Sequence, residues 1–167
     1  MQHQVRNLVH IVDDNSFIRE FLEELLDSIG YNVKVFPNAK EYIKHFNSDS
    51  FTKPLATFVD VIMPSMNGYE MIAYLQEEIM GMRFVIMSGE HDIKSEYKHL
   101  ACMFLKKPFY PTCVETIMEK MSACASCGAS SEIGCNTADH RDFYEVKDWI
   151  CPSSFEVKLT QPSHSLR

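Results

Sequence analysis

Acidic, hydroxyl and amino side chains stand directly at the ends of several apolar runs in this chain. Asp13 and Asp14 follow the first run, Asp60 closes a later one, and Ser88 and Lys107 end two more. A carboxylate that leaves water without a partner costs free energy, so acids at such positions need an exposed end, a partner or a metal. Three acids, a hydroxyl and an amine could together hold a divalent cation and bind a phosphoryl group.

These side chains can act together only if the folded chain brings them together. Short apolar runs rich in β-branched residues alternate with segments whose apolar residues recur every three or four positions, which indicates strands alternating with amphipathic helices. The strands are expected within NLVHIV, NVKVF, PLATFVD, RFVIMS and CMFLK, and the helices within NSFIREFLEELLDSIG, NAKEYIKHF, NGYEMIAYLQEEIM, DIKSEYKHL and TCVETIMEKM.

Strands that alternate with helices favour right-handed crossovers and a parallel sheet covered on both faces, which is a three-layer α/β sandwich. Ligands of such sheets bind outside the carboxyl ends of the strands. We therefore expect the polar residues to meet in one crevice. Three clustered carboxylates repel one another and raise each other's pKa, which a Mg²⁺ ion that keeps several waters would relieve. Asp60 is then placed as a nucleophile, with Lys107 and Ser88 facing phosphoryl oxygens.

Composition limits the remaining classes of function. The 167 residues suffice for one domain with an appendage. A formal charge of -7 gives no general attraction for nucleic acid or an anionic membrane, and no apolar run approaches the roughly 18 residues that cross a bilayer. The N-terminus does not read as a signal peptide, so we expect a cytoplasmic protein whose six cysteines are reduced thiols or metal ligands.

Four short segments, HIVDDN, FVDVIMPSMNG, VIMSG and FLKKPF, follow one another along the chain. In this order they resemble the signature segments of the response-regulator receiver domain of two-component signalling. Their amino-acid sequences are most similar to those of FixJ-like receivers. The resemblance implies a flavodoxin-like (βα)5 sandwich with a parallel five-stranded sheet in the order 2-1-3-4-5. We assign residues 1–122 to this receiver domain and residues 123–167 to a C-terminal linker or tail, ordered in part at most.

The resemblance also implies a phosphoacceptor and a metal site. Asp60 would accept a phosphoryl group from a sensor histidine kinase or a phosphotransfer protein. Mg²⁺, or Mn²⁺ in its place, would be held by Asp13, Asp14, Asp60 and the backbone carbonyl of Ile62. The protein would be a phosphoacceptor and no enzyme beyond slow self-dephosphorylation, because Ile62, two residues after the acceptor, cannot orient an attacking water.

By the same resemblance, Lys107 contacts the phosphoryl group, Ser88 moves toward it, and Phe104 is the aromatic switch residue. Phe104 lacks the hydroxyl of a tyrosine, so a change in its rotamer could act on neighbouring residues only through packing contacts and not through a hydrogen bond. The switch would act on the face formed by the fourth helix, the fifth strand and the fifth helix, which in the family makes the homodimer or the contact with a downstream protein. The segment between Ser88 and Lys107 is shorter than in a typical receiver, so we expect an altered output surface.

The tail departs from FixJ-like regulators, which continue into a helix-turn-helix. Residues 123–167 contain four Lys or Arg against six Asp or Glu, so we expect no direct binding of nucleic acid. Free thiols are the expected state of its cysteines, and structural zinc is the alternative. The candidate zinc ligands are Cys124, Cys127, Cys135, His140 and Cys151. The segment DFYEVKDWI has apolar residues at helical spacing, typical of a segment that covers an apolar surface of its own domain, with a partner-binding motif as the alternative.

Three other functions remain as alternatives. A degenerate receiver would act as a scaffold or adaptor independently of phosphorylation. An aspartate-nucleophile phosphatase usually has a second acid two residues after the nucleophile, where this chain has Ile62. A nucleotide binder needs a loop of backbone N–H donors after the first strand, but this chain has DDNS, whose acids repel phosphate.

Overall fold

The computed structural model describes residues 7–79, 81–89 and 101–126. Its five strands are β1 Leu8–Val12, β2 Asn32–Phe36, β3 Ala56–Asp60, β4 Phe84–Ser88 and β5 Met103–Lys106. Its four helices are α1 Ser16–Ser28, α2 Ala39–Phe46, α3 Gly68–Glu78 and α4 Pro111–Ser126. The helix predicted within DIKSEYKHL lies outside the described residues.

The five strands form one parallel sheet in the order β2-β1-β3-β4-β5, which confirms the predicted fold class and strand order. In the central pairing, Val9 lies opposite Ala56 and Val12 opposite Val59. This register brings the carboxyl ends of β1 and β3 to the same edge of the sheet. Among the described helices, none is long and apolar enough to cross a membrane.

Alternate side chains of the strands enter two separate cores. On one face, Val59, Ile86 and neighbouring strand residues pack against α2 and α3. On the other face, Phe58 and Val85 pack with their neighbours against α1 and α4. Strands buried on both faces explain the nearly continuous apolar runs of the sequence. The helices and the sheet therefore form the three predicted layers.

Asparagine side chains begin three of the helices. Asn15 accepts the backbone N–H of Phe17 at the start of α1, and Asn38 caps α2 in the same manner. Asn67 and Glu70 exchange side-chain and backbone hydrogen bonds at the start of α3, which is a capping box. Each cap satisfies backbone donors that have no partner within the helix. These caps set where α1 begins after the loop that follows β1, and where α3 begins after the loop that follows β3.

The last helix is longer than the sequence indicated. Its apolar pattern predicts a helix that ends near Met121, but α4 continues to Ser126 and passes through the expected boundary between residues 122 and 123. Ala125 still packs against the core on the α1 side, and this contact stabilises the extra helical turn. The assignment of the remaining residues to a tail stays a prediction, because residues 127–167 lie outside the described part of the chain.

A buried polar bridge joins β1 to β3 one layer below the strand ends. His10 and Thr57 are opposite each other in the register and are both fully buried. The hydroxyl of Tyr42 lies 3.1 Å from Nδ1 of His10 and 3.3 Å from Oγ1 of Thr57. Burial, followed by the nearby His45 and Lys34, lowers the pKa of His10 to about 3, so the imidazole stays neutral. Neutral groups that hydrogen-bond to one another can lie in a core at small cost, and the atom of this bridge that finds no partner among the described residues is Nε2 of His10.

We expect Tyr42→Phe to lower the free energy of unfolding by about 1–3 kcal/mol, because it leaves two buried polar groups without their shared partner. Urea denaturation measures this change. Tyr110→Phe is the matched control, since Tyr110 is exposed and loses the same hydroxyl; its effect should stay within about 0.5 kcal/mol. Equal stability of the Tyr42→Phe protein and the wild type would contradict a stabilising bridge.

Candidate functional site

The predicted polar residues converge at the carboxyl edge of the sheet. Asp60 and Ser88 are the last residues of β3 and β4, while Asp13 follows β1 and Lys107 follows β5. The order of the strands places these four ends side by side. The structure therefore brings together residues that are far apart in the sequence.

Lys107 bridges two acids of this cluster. Its Nζ atom donates to Oδ2 of Asp13 at 2.7 Å and to Oδ1 of Asp60 at 3.0 Å. The Asp13 side chain is fully buried and only 8% of the Asp60 side chain is exposed, so both contacts are shielded from water. Paired charges of this kind offset the cost of burying each carboxylate.

Asp13 is also fixed from the α1 side. Its Oδ1 atom accepts the backbone N–H of Asn15 at 2.9 Å, and its backbone carbonyl accepts Nη1 of Arg19 at 2.7 Å. With Oδ2 bonded to Lys107, both carboxylate oxygens have a donor. The start of α1 thus sets the direction in which this acid faces. Asn15 and Arg19 were not predicted as site residues.

A third acid completes an oxygen-rich cluster. One carboxylate oxygen each from Asp13, Asp14 and Asp60 lie within 4.8 Å of one another, and Asp14 is exposed. Hard divalent cations such as Mg²⁺ prefer carboxylate oxygens and keep several waters. The donor set fits such an ion, with exposed Asp14 leaving one side accessible to solvent.

The electrostatics of Asp60 differ from those of an ordinary aspartate. Burial raises its pKa to about 6, and the neighbouring Asp13 and Asp14 add to the rise, while the hydrogen bond and charge of Lys107 oppose it. For Lys107, burial alone would lower the pKa, but the two carboxylates outweigh it and the net change is upward. At neutral pH the site therefore contains an ionised lysine and a carboxylate more basic than usual.

Gly68, the first residue of α3, approaches the backbone of Asp60 closely. Its N–H donates to the carbonyl of Val61 at 3.0 Å. A Cβ atom at this position would collide with the backbone carbonyl oxygen of Asp60. The glycine of the MNG sequence thus allows the loop after β3 to fold back directly against the strand end.

The other predicted site residues have distinct positions. Ser88 is buried, and its backbone carbonyl accepts the N–H of Lys107 at 2.7 Å, which ties the end of β5 to that of β4. Phe104 is buried in the core shared with α3, so a switch at this residue would change packing. Ile62 has an exposed side chain. The proposed roles of these residues stay predictions.

Of the five predicted zinc ligands, the described part of the chain contains one. Cys124 lies within α4, and the other candidates, Cys127, Cys135, His140 and Cys151, lie outside the described residues. In the described part of the chain, the residues that could together hold a metal are Asp13, Asp14 and Asp60. The zinc alternative stays a prediction.

Comparison with known proteins decides the family. The model of the response regulator receiver domain matches residues 9–119, about two thirds of the chain. The chain belongs to the response regulator receiver family. Receiver domains are the response-regulator part of two-component signalling, so the predicted resemblance is confirmed. The matched range includes all three acids and Lys107.

Two relatives show how similar this chain is in sequence to known regulators. The transcriptional regulatory protein FixJ of Bradyrhizobium diazoefficiens is 28% identical over 74% of the chain and 60% of FixJ. The transcriptional regulator NtrC of Proteus hauseri is 30% identical over 60% of the chain and 21% of NtrC. The chain thus spans less than two thirds of the length of either relative.

Solved structures are similar in fold. Full-length FixJ from B. japonicum matches with a TM-score of 0.64 and 28% identity, over 74% of this chain and 61% of FixJ. The response regulator TrrA of Thermotoga maritima, in complex with Mg²⁺-BeF, matches with a TM-score of 0.61 over 69% of this chain and 98% of TrrA. At 21% identity, TrrA supports the fold of the receiver alone.

We expect Asp60→Asn to raise the free energy of unfolding of the metal-free receiver at pH 7 by about 1–3 kcal/mol. The reason is that an acid with a raised pKa in the folded state destabilises that state when it is ionised. Protonation removes this cost, so the gain should shrink as the pH falls through 6 toward 4. Urea denaturation with a chelator at several pH values measures it.

The exposed acid Asp27 on α1 provides the control for this experiment. Asp27→Asn removes the same charge and should give no comparable gain at pH 7. An Asp60→Asn protein less stable than the wild type at pH 7 would show that the pairing with Lys107 outweighs the cost of burial.

Proposed function

We propose that this protein is a two-component response regulator whose receiver accepts a phosphoryl group on Asp60 and thereby changes its contacts with other proteins. The observation that supports this most directly is the bridge from Lys107 to Asp13 and Asp60. It places a fixed positive charge beside a strand-end carboxylate in a cleft that two further acids line. This combination suits phosphoryl transfer, in which positioning and charge stabilisation do most of the work.

The proposed transfer uses the ionised Asp60 as the nucleophile. A carboxylate oxygen of Asp60 bonds to phosphorus while the phosphorus–nitrogen bond of a phosphohistidine breaks, and the imidazole nitrogen of the donor takes up a proton. A raised pKa makes this carboxylate a stronger base, yet leaves it largely ionised at neutral pH. Lys107 already donates to Asp60 at 3.0 Å and would meet phosphoryl oxygens there, and Ser88, the last residue of the neighbouring strand β4, would offer its hydroxyl from the other side.

A divalent cation belongs to this proposal. Asp13, Asp14 and Asp60 would hold Mg²⁺ or Mn²⁺, with the backbone carbonyl of Ile62 as a further ligand. When bound, the ion would neutralise charge on the carboxylates and on the incoming phosphoryl group. The support in this chain is the cluster of three carboxylate oxygens within 4.8 Å.

The output would be a change of protein contacts. The new phosphate adds about -1.5 to -2 charge beside Lys107, which must then divide its hydrogen bonds between Asp13 and phosphoryl oxygens. Lys107 directly follows β5, so a shift of its side chain would act first on β5, on Phe104 and on α4. We propose that this face contacts a downstream protein or a second copy of the chain, and that the donor is a sensor histidine kinase or phosphotransfer protein.

The first test looks for a covalent phosphoryl adduct on Asp60. Incubation with acetyl phosphate and Mg²⁺ should add the mass of one phosphoryl group to the intact protein, and Asp60→Asn should abolish the adduct because it removes the nucleophile. Mass spectrometry measures both. Asp27→Asn, which removes an exposed acid of α1, should form the adduct at the wild-type rate. A wild-type protein that binds Mg²⁺ yet forms no adduct would favour the phosphorylation-independent scaffold instead.

We also propose that the aspartyl phosphate is hydrolysed slowly. The side chain of Ile62 is 65% exposed beside the acceptor and has no polar group with which to orient water. Ile62→Asn should therefore shorten the lifetime of the phosphorylated protein, and Ile62→Leu, the apolar control, should not. Decay of the mass adduct after removal of acetyl phosphate measures this. A wild-type lifetime of seconds would contradict slow hydrolysis.

A further inference from the structure

Four aromatic side chains lie on two elements that begin at the acidic cleft, and we call these four side chains the aromatic rim. Phe17 and Phe21 lie one turn apart on α1, and Phe109 and Tyr110 lie in the loop between β5 and α4. The ring centroids of Phe21 and Phe109 are 6.1 Å apart, which joins the two elements into one surface. Along the chain, Phe17 is three residues after Asp14 and Phe109 is two residues after Lys107, so both of these elements begin at the acidic cleft.

The rim exposes more apolar surface than folding alone requires. Phe17 is 78% exposed and Tyr110 is 77% exposed, so neither ring contributes much to the core. Single exposed apolar side chains are normal on protein surfaces. Several aromatic rings in one patch are typical of a surface that another segment or protein covers.

We propose that residues 142–150 of this same chain cover the aromatic rim. This segment, DFYEVKDWI, has Phe143, Val146, Trp149 and Ile150 at the spacing of one helical face. Such a face could bury its apolar side chains against the exposed rings. The segment belongs to the tail, which lies outside the described residues.

The length and starting point of the tail allow this contact. The hydroxyls of Tyr31 and Ser122 are 3.1 Å apart, so α4 ends beside the far end of α1, in the layer that contains the rim. The 16 residues of α4 span about 24 Å, which is the distance the tail must return. Residues 127–141 can extend over as much as about 50 Å. The segment can therefore reach the rim with slack.

Charge disfavours a second copy of the chain as the occupant. The exposed side of α1 next to the rim is acidic and borders a groove lined partly by Glu20, Glu23, Glu24 and Asp27. Two copies that met through this helix would bring two full sets of these acids together, whereas the segment brings three acids that one lysine partly offsets, so the repulsion is smaller for the segment. A tethered segment also has an effective concentration in the millimolar range, which a dilute second copy lacks.

The single tryptophan of the chain, Trp149, lies within the proposed segment and reports on it directly. In the full-length protein we expect a blue-shifted emission and weak quenching by acrylamide, both independent of protein concentration. The double variant Phe17→Gln, Tyr110→Gln should shift the emission to the red and raise the quenching constant several-fold. Both side chains are exposed, so the fold should persist, as circular dichroism checks.

Two further variants make the test specific. Ile29→Gln changes an exposed apolar residue at the other end of α1 and should leave Trp149 shielded. Val146→Asp, which alters only the segment, should expose Trp149 to the same extent as the double variant. Agreement of these variants would support docking on the rim.

Three results would overturn the proposal. Trp149 could be fully quenchable in the wild type, so that nothing covers it. It could stay shielded in the double variant, which would place the segment elsewhere. Its shielding could fall on dilution, which would identify a second copy as the partner. None of these readouts depends on phosphorylation, so failure here is distinct from failure of the proposed function.

Discussion

Lys107 donates to two buried carboxylates at once and offsets part of their negative charge, and the organisation of the cleft depends on this interaction. Asp13 and Asp60 come from strands that are neighbours in space, and the lysine comes from the far side of β4. Without a positive charge the two acids would repel each other in a poorly hydrated place. One ammonium group thus holds together residues from the carboxyl ends of three strands.

The sequence predicts those features of the fold and the site that depend on local residue patterns or on the order of the strands alone. Apolar runs and helical spacing predict the alternation of elements, and the rule that ligands bind at the carboxyl ends of parallel strands places Asp13, Asp60 and Lys107 together. Neither step requires knowledge of side-chain packing. The family motifs point to the same residues for a different reason, since they reflect a common chemistry.

Other features depend on three-dimensional detail that periodicity does not contain. The contact of Arg19 with the carbonyl of Asp13 requires the exact entry angle of α1, and the position of Tyr42 between two strands requires the register of α2 on the sheet. The sequence pattern predicts too early an end for α4, because the small and polar residues after Met121 are typical of a linker. Ala125 shows the reason: a small residue can still pack on a core that holds the helix together.

The polar bridge through Tyr42 also limits how the sheet and α2 can move relative to each other. His10 on β1 and Thr57 on β3 both lie within hydrogen-bonding distance of the Tyr42 hydroxyl, so directional contacts fasten the two central strands to α2. A displacement of α2 along the sheet would have to break these hydrogen bonds inside a dry core. The two strands that end at the acidic cleft are therefore coupled through α2 as well as through their own backbone pairing.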